Sequence, residues 1–134
     1  MSRNCRVLKS GKCEITQGYK NSHKANDIVG AGYTVDTIVA HSDGTVVQVI
    51  NNCNINTSGD ARYNSAYFDA NNPGNMVKIK HDNGYYTRYL HLAYGTVKVQ
   101  NGQRVSKGQE LGYMGNTGYS FGGHLHFEIR NLRF

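Results

Sequence analysis

The sequence has no tryptophan, one proline and no long apolar run. A helix that crosses a bilayer needs about 20 consecutive apolar residues, so no transmembrane helix is predicted. The first eighteen residues, MSRNCRVLKSGKCEITQG, are too polar and too interrupted for the apolar core of a secretory signal peptide. We therefore expect a chain that is released by another route, for example a phage-type lytic enzyme, or one module of a larger protein.

Cysteines and acidic residues are scarce as well. The three cysteines are an odd number and show no CxxC spacing, so the sequence indicates neither a full disulfide framework nor a cysteine zinc site. Free thiols are the favoured interpretation, with a Cys5 to Cys13 bridge as the alternative. The 15 basic residues outnumber the 9 acidic ones, giving a net charge of +6. Such a surface attracts anionic partners, either nucleic acid or an anionic cell-wall polymer, or is simply solvated.

Glycine and tyrosine, by contrast, are abundant, and valine and isoleucine occur in short runs. With 16 glycines and 10 tyrosines, the 134 residues predict one mainly β domain, a compact antiparallel sheet structure with many turns. Asn83-Gly84 supplies the backbone of a tight turn, so MVKIKHDNGYYTRYL is predicted to form an antiparallel hairpin. The predicted strands are Cys13–Gln17, Thr37–Ala40, Thr45–Asn51, Asn75–Lys80, Tyr85–Leu90, Thr96–Val99, Glu110–Met114 and His124–Ile129.

One segment interrupts this pattern. Residues Asn51–Gly74 are rich in Asn, Ser and Gly, which favours a long surface loop, with a helical turn possible near ARYNSAYFD. Loops of this length in compact domains are commonly functional, so we expect either a wall of a substrate cleft or a decoration of the surface.

The spacing of the histidines is the feature of the sequence that indicates a metal site. His124 and His126 are two apart in a predicted strand, so both side chains share one face, about 7 Å apart at the Cα atoms, and Leu125 points toward the core. His23 and Asp27 form an HxxxD pair, which on a straight strand would lie about 13 Å apart, so a bent segment is expected there. Two histidines and a carboxylate, with a fourth position left for water, are the ligands of a catalytic zinc ion.

For the remaining histidines, the residues next to them in the sequence predict where each side chain lies. His91 ends a predicted strand just before a turn, where its side chain can reach a cleft, although a structural histidine is the alternative. His41 and His81 adjoin turn residues and are assigned to solvent.

These segments together resemble a known family. HKANDIVG, IVAHSDGTVVQVI, MVKIKHDNGYYTRYLHL and VQNGQRVSKGQELGYMGNTGYSFGGHLHFEIR are similar, in this order, to the blocks of the lysostaphin-like, LytM-type zinc endopeptidases that cleave peptidoglycan. The resemblance runs from about Glu14 to Arg130. Two departures, Ser120–Gly123 before the HLH motif and His41-Ser42 after a strand, affect groove positions of the family and no ligand.

The resemblance implies the lysostaphin-like fold, a small antiparallel β-sheet structure with an open groove, together with a zinc cofactor and roles for five residues. His23, Asp27 and His126 would bind Zn²⁺, while His91 and His124 would act on the bound water and the developing oxyanion. Which of these two is the general base stays open. The implied partner is bacterial peptidoglycan, and we expect a monomer that acts at the cell wall without binding nucleic acid or inserting into a membrane.

Two other functions remain as alternatives. Some members of the family have lost metal ligands and only activate other wall hydrolases, so a catalytically silent wall-binding or hydrolase-activating domain is the second hypothesis. A basic β-barrel that binds nucleic acid is the third, but its cations would be clustered beside exposed aromatic side chains. The scattered lysines and arginines of this sequence do not show that pattern.

Overall fold

The computed structural model describes residues 3–18, 25–32, 34–54, 73–117 and 124–131. Within these ranges the chain forms ten β-strands and no helix, which confirms the predicted fold class. It follows that the described part holds no helix able to cross a membrane. The strands are β1 Arg3–Asn4, β2 Lys12–Gln17, β3 Asn26–Gly30, β4 Thr37–Val39, β5 Gly44–Ile50, β6 Asn75–His81, β7 Tyr86–Leu92, β8 Arg104–Val105, β9 Glu110–Tyr113 and β10 Leu125–Arg130.

Eight of the strands form one sheet in the order β1-β2-β3-β10-β7-β6-β5-β8. Every neighbouring pair in it is antiparallel. The strand β10 therefore lies between β3 and β7, although it follows them by many residues in the sequence. The remaining strands, β4 and β9, form a separate two-stranded antiparallel sheet.

Side-chain alternation gives the large sheet one apolar and one polar face. Val77, Tyr89 and Phe127 are paired across β6, β7 and β10, and all three are buried in the core. The next residues along these strands, Lys78, Arg88 and Glu128, are also paired and point to the opposite face. The polar face of β3, β10 and β7 carries the candidate site.

The predicted hairpin is confirmed. Strands β6 and β7 pair in antiparallel register, and the amide of Gly84 donates to the carbonyl of His81 at 3.0 Å. Gly84 has φ +88°, a conformation that glycine adopts without the steric cost of a Cβ. The turn thus forms as the Asn-Gly pair indicates.

Two predictions for other segments were wrong. Thr96–Val99 is not a strand: the amide of Lys98 donates to the carbonyl of Leu111, and Val99 packs into the core. The strand β3, which contains Asp27 and pairs with both β2 and β10, was not among the predicted strands, and the bend expected between His23 and Asp27 stays a prediction because residues 19–24 lie outside the described residues. Apolar and polar residues do not alternate there, because Ile28 and Val29 are both buried.

The long loop lies mostly outside the described residues, which include only its ends, 51–54 and 73–74. These ends are joined: the amide of Cys53 donates to Oδ1 of Asn75 at 2.8 Å, and Nδ2 of Asn75 donates to the carbonyl of Cys53 at 2.8 Å. The three cysteines, all of them described, form no disulfide, and Cys13 is buried in the core.

Candidate functional site

Asp27 and His126 face each other across two neighbouring strands. They are paired residues of β3 and β10, so their side chains project from the same face of the sheet. Nδ1 of His126 lies 3.2 Å from Oδ1 of Asp27. The side chains are 14% and 19% exposed, so both are shielded but accessible from solvent. A carboxylate and an imidazole are thus directed at one point.

His124 joins this pair from the residue just before β10. Its Nε2 lies 3.6 Å from Oδ1 of Asp27, and its amide donates to the carbonyl of Gly115 at 3.2 Å. Leu125, between the two histidines, is completely buried in the core. This confirms the prediction that the two histidines share a face and that Leu125 points away from it.

His91 approaches the same point from β7. Its ring centroid lies 5.1 Å from that of His124 and 5.8 Å from that of His126. The pairing of β6 with β7 shifts between Asn75 and Val77, and opposite this irregularity His91 has φ 65°. A β-bulge turns a side chain out of the regular alternation, and a non-glycine residue with positive φ is held there by its surroundings.

The surroundings of His91 also fix its protonation. Its Nδ1 lies 2.6 Å from the carbonyl oxygen of Thr117. Because a carbonyl oxygen only accepts hydrogen bonds, Nδ1 carries the proton and Nε2 has the free lone pair. Burial, together with the adjacent imidazole of His124, lowers the pKa of His91 to about 3. The ring is therefore neutral near pH 7.

Thr117 contacts His91 directly, and Asn75 is hydrogen-bonded to Thr117. The sequence analysis did not identify either residue. Both are buried; the amide of Asn75 donates to the Thr117 hydroxyl at 3.0 Å, and that hydroxyl donates to the carbonyl of Leu92 at 2.7 Å. The amide of His91 donates to the carbonyl of Pro73 at 2.9 Å. Thr117 lies in the GNTG segment of the quoted blocks, but the residue type alone does not indicate a contact with a histidine.

Glu128 and Arg88 were also missed. Oε2 of Glu128 lies 2.8 Å from Nε2 of His126, and the guanidinium of Arg88 donates to both carboxylate oxygens of Glu128, at 3.0 and 2.9 Å. Glu128 is part of the HLHFE motif and shares a strand face with His126, so the two-residue spacing was an available signal.

The two carboxylates around His126 control its charge. Burial opposes the imidazolium form, but hydrogen bonds to Asp27 and then to Glu128 outweigh it and raise the pKa of His126 to about 9. Burial also opposes ionisation of Glu128, yet His126 and Arg88 lower the pKa of this carboxyl to about 2. A metal ion bound at Nδ1 of His126 would take the place of its proton, because both use the same lone pair.

The assignment of His41 and His81 to solvent was wrong. His81 is buried: its Nδ1 donates to the carbonyl of Asp43 at 3.0 Å, and its Nε2 shares a hydrogen bond with the Thr87 hydroxyl at 2.7 Å. His41 is half-buried, and its ring stacks on Phe127 with centroids 6.0 Å apart. Burial, followed by the charge of His81, lowers the pKa of His41. Both histidines belong to the core side of the sheet.

The predicted ligand His23 lies outside the described residues, as do Ser120–Gly123. Within the described ranges, no three side chains of the His, Cys, Asp and Glu types form a group that could hold a metal ion. The described donors Asp27 and His126 fit two positions of a zinc site, because zinc in proteins takes carboxylate oxygen and imidazole nitrogen. The third position stays a prediction for His23.

Known proteins similar in sequence indicate the family of this chain. The model of peptidase family M23 matches residues 21–133. Peptidoglycan DD-endopeptidase ShyA of Vibrio cholerae is 43% identical over 93 residues, which cover 68% of this chain and 20% of that protein. Glycyl-glycine endopeptidase ALE-1 of Staphylococcus capitis is 35% identical over 100 residues, which cover 74% of this chain and 24% of that protein. The chain thus spans no more than about a quarter of either relative.

Solved structures show the same fold. A zinc-containing peptidase from Vibrio cholerae superposes with a TM-score of 0.68 and 27% identity, covering 98% of this chain and 38% of that one. The catalytic domain of lysostaphin from Staphylococcus simulans gives a TM-score of 0.62 at 20% identity, covering 99% and 84% of the two chains. From the match of the family model over most of its length, the chain belongs to peptidase family M23.

Proposed function

We propose that this chain is a zinc-dependent endopeptidase that hydrolyses the peptide stems or cross-bridges of bacterial peptidoglycan. The observation that carries the proposal is the convergence of Asp27, His124 and His126, with nitrogens 3.6 and 3.2 Å from one carboxylate oxygen. One relative is named a peptidoglycan DD-endopeptidase and another a glycyl-glycine endopeptidase, and these names support the substrate class. In this proposal residues 1–134 are a single catalytic domain that acts at the cell wall.

Asp27, His126 and His23 would hold the zinc ion. When bound, Zn²⁺ lowers the pKa of a water molecule to about 7 and polarises a carbonyl group. The donor chemistry supports this assignment, since the carboxylate and the imidazole provide an anionic and a neutral ligand. An open coordination position would remain for water or for the substrate carbonyl, as in catalytic zinc sites generally.

His91 and His124 would move protons and stabilise charge beside the metal. The proton on Nδ1 of His91 is held by the carbonyl of Thr117, so the Nε2 lone pair is free to accept a proton from the attacking water. Because burial lowers the pKa of His91, the ring is unprotonated near pH 7 and could take this proton in the transition state and pass it to the leaving amine. His124 would donate a hydrogen bond to the oxyanion that forms when the water attacks, before the amine leaves.

The test combines metal content with cleavage of purified cell walls. We expect about one zinc ion per chain, and loss of turbidity that disappears with a chelator and in His126→Ala and Asp27→Asn. Asp82→Asn is the matched control, because Asp82 lies in the turn after β6 in an exposed ion pair with Arg104 of the edge strand β8, and this variant should clear walls like the wild type. Mass spectrometry of the released fragments would identify the bond.

A different result would support the silent-module hypothesis. If the wild type binds several wall types but holds no zinc and releases no fragments, the endopeptidase proposal is wrong. If the wild type clears walls equally well in the presence of a chelator, and His126→Ala clears them like the wild type, the proposed zinc site is wrong and another site performs the cleavage.

A further inference from the structure

Glu128 is a buried carboxylate in β10, and the formation of the strand does not explain why a charged residue occupies this position. It is 6% exposed and lies two residues after His126, on the same face of β10. A buried charge is costly unless it is paired, and here two partners are present. Arg88, its paired residue on β7, binds both carboxylate oxygens, and His126 binds Oε2.

The contact with Glu128 distinguishes the two nitrogens of the His126 ring. A carboxylate accepts hydrogen bonds, so the 2.8 Å contact keeps a proton on Nε2. The other nitrogen, Nδ1, is then the one directed at Asp27, 3.2 Å from Oδ1. Rotation of the ring by half a turn would break the contact with Glu128. The carboxylate therefore sets both the tautomer and the orientation of the ring.

We propose that Glu128, held by the two-point contact with Arg88, is a positioning residue that selects Nδ1 of His126 as the metal-binding nitrogen. This inference rests on the proposed zinc site. A carboxylate that accepts a hydrogen bond from a metal-bound histidine orients the ring and increases its basicity, and loss of such a contact costs 10- to 100-fold in metal affinity or activity. Glu128 itself contacts neither metal nor substrate.

Arg88 fixes the orientation of the Glu128 carboxylate in addition to balancing its charge. The guanidinium meets the carboxylate with its Nε and one terminal nitrogen, which fixes the plane of the carboxylate group. Lysine would preserve the charge but offer a single donor point. Arg88→Lys therefore separates orientation from electrostatics.

The experiment measures zinc affinity directly, by competition with a chromogenic chelator at one pH and ionic strength. We expect Glu128→Gln, which keeps the size of the side chain, to weaken zinc binding at least 10-fold, and Arg88→Lys to weaken it by a smaller factor. The matched control is Asp82→Asn, because Asp82 also binds an arginine, Arg104, through both oxygens, but this pair is exposed and joins the β6–β7 turn to the edge strand β8. This variant should bind zinc within twofold of the wild type.

A second readout distinguishes positioning from general stabilisation. Proton–nitrogen NMR spectra of the zinc-loaded protein, labelled at histidine, report which ring nitrogen of His126 carries a proton. We expect Nε2–H in the wild type and a mixed or altered pattern in Glu128→Gln. A variant that only loses stability would lower the melting temperature while keeping the Nε2–H signal and the zinc affinity.

The inference is overturned if Glu128→Gln and Arg88→Lys both bind zinc like the wild type with the same protonated nitrogen. Should Glu128→Gln fail to fold, Arg88→Lys decides, because it leaves the buried carboxylate and its charge partner in place. Failure of the proposed function is a separate result: there the wild-type protein itself would hold no zinc or leave cell walls intact.

Discussion

His91 is a histidine whose environment opposes a positive charge. It lies in a β-bulge with a positive φ, surrounded by His124 and His126 and fixed through Nδ1 to a backbone carbonyl. Burial removes the water that would solvate an imidazolium, which is why its pKa falls to about 3. Protonation of His91 would therefore place a charge in a buried site, so the folded state is more stable while this imidazole is neutral.

This coupling predicts a pH dependence. The folded pKa of His91 is below its value of 6.5 in a model peptide, so its contribution to stability is present above about pH 6.5 and is lost as pH falls toward 3. We expect the difference in unfolding free energy between the wild type and His91→Gln to shrink by about 1 kcal/mol per pH unit below pH 6.5. Urea unfolding of metal-free protein at pH 7.5, 6.0 and 5.0 would measure it. A difference that does not change with pH would contradict the lowered pKa.

Strand β6 begins at the base of the long loop and ends at the turn that leads to β7. Both ends use a glycine with positive φ, Gly84 in the turn at +88° and Gly74 beside Asn75 at +62°. A Cβ at Gly84 would meet open space, whereas a Cβ at Gly74 would overlap the backbone carbonyl of Thr117. That carbonyl is the acceptor for His91. The two glycines therefore differ in packing while sharing a backbone conformation.

Matched alanine substitutions should separate these effects. Gly84→Ala carries only the left-handed backbone strain and should cost about 1 kcal/mol. Gly74→Ala adds the overlap with Thr117, so we expect a loss of about 3 kcal/mol or more together with reduced wall cleavage. Thermal unfolding and turbidity assays on both variants would check this. Equal effects of the two substitutions would show that Thr117 moves aside at little cost.

The sequence predicts the elements best where the pattern is local. The β6–β7 hairpin follows from its Asn-Gly turn, and the shared face of His124 and His126 follows from strand alternation. The strand β3 was missed because Ile28 and Val29 are buried side by side, so its residues do not alternate. The support of His91 and His126 could not be predicted from spacing, since Thr117 and Arg88 come from segments distant in sequence.

For the molecule as a whole, the net charge of +6 adds a long-range attraction to the local chemistry. Some of the cations are already paired at the surface, as Lys9 and Lys98 are with Glu110, but basic residues remain in excess. An anionic cell wall would concentrate such a protein at its surface without any specific contact. Salt screens this attraction over a Debye length of about 10 Å at 0.1 M.

Wall clearing should therefore depend on ionic strength more than peptide cleavage does. Between 50 and 500 mM NaCl we expect binding to intact walls and the rate of clearing to fall several-fold, since screening weakens long-range attraction. Hydrolysis of a short uncharged peptide substrate at the same zinc occupancy should change by less than twofold. Similar salt curves for both substrates would exclude electrostatic attraction as a contributor to wall binding.

The place of β10 in the sheet has a consequence for synthesis. Strands β3 and β7 pair with β10 from either side and not with each other. A ribosome releases residues 26–30 and 86–92 before residues 125–130, so during that interval both strands present an open edge, the kind of surface that recruits stray strands from other chains. Arrival of β10 closes both edges and brings His126 to Asp27 in the same step. A growing chain therefore acquires protection from aggregation and the proposed metal site together.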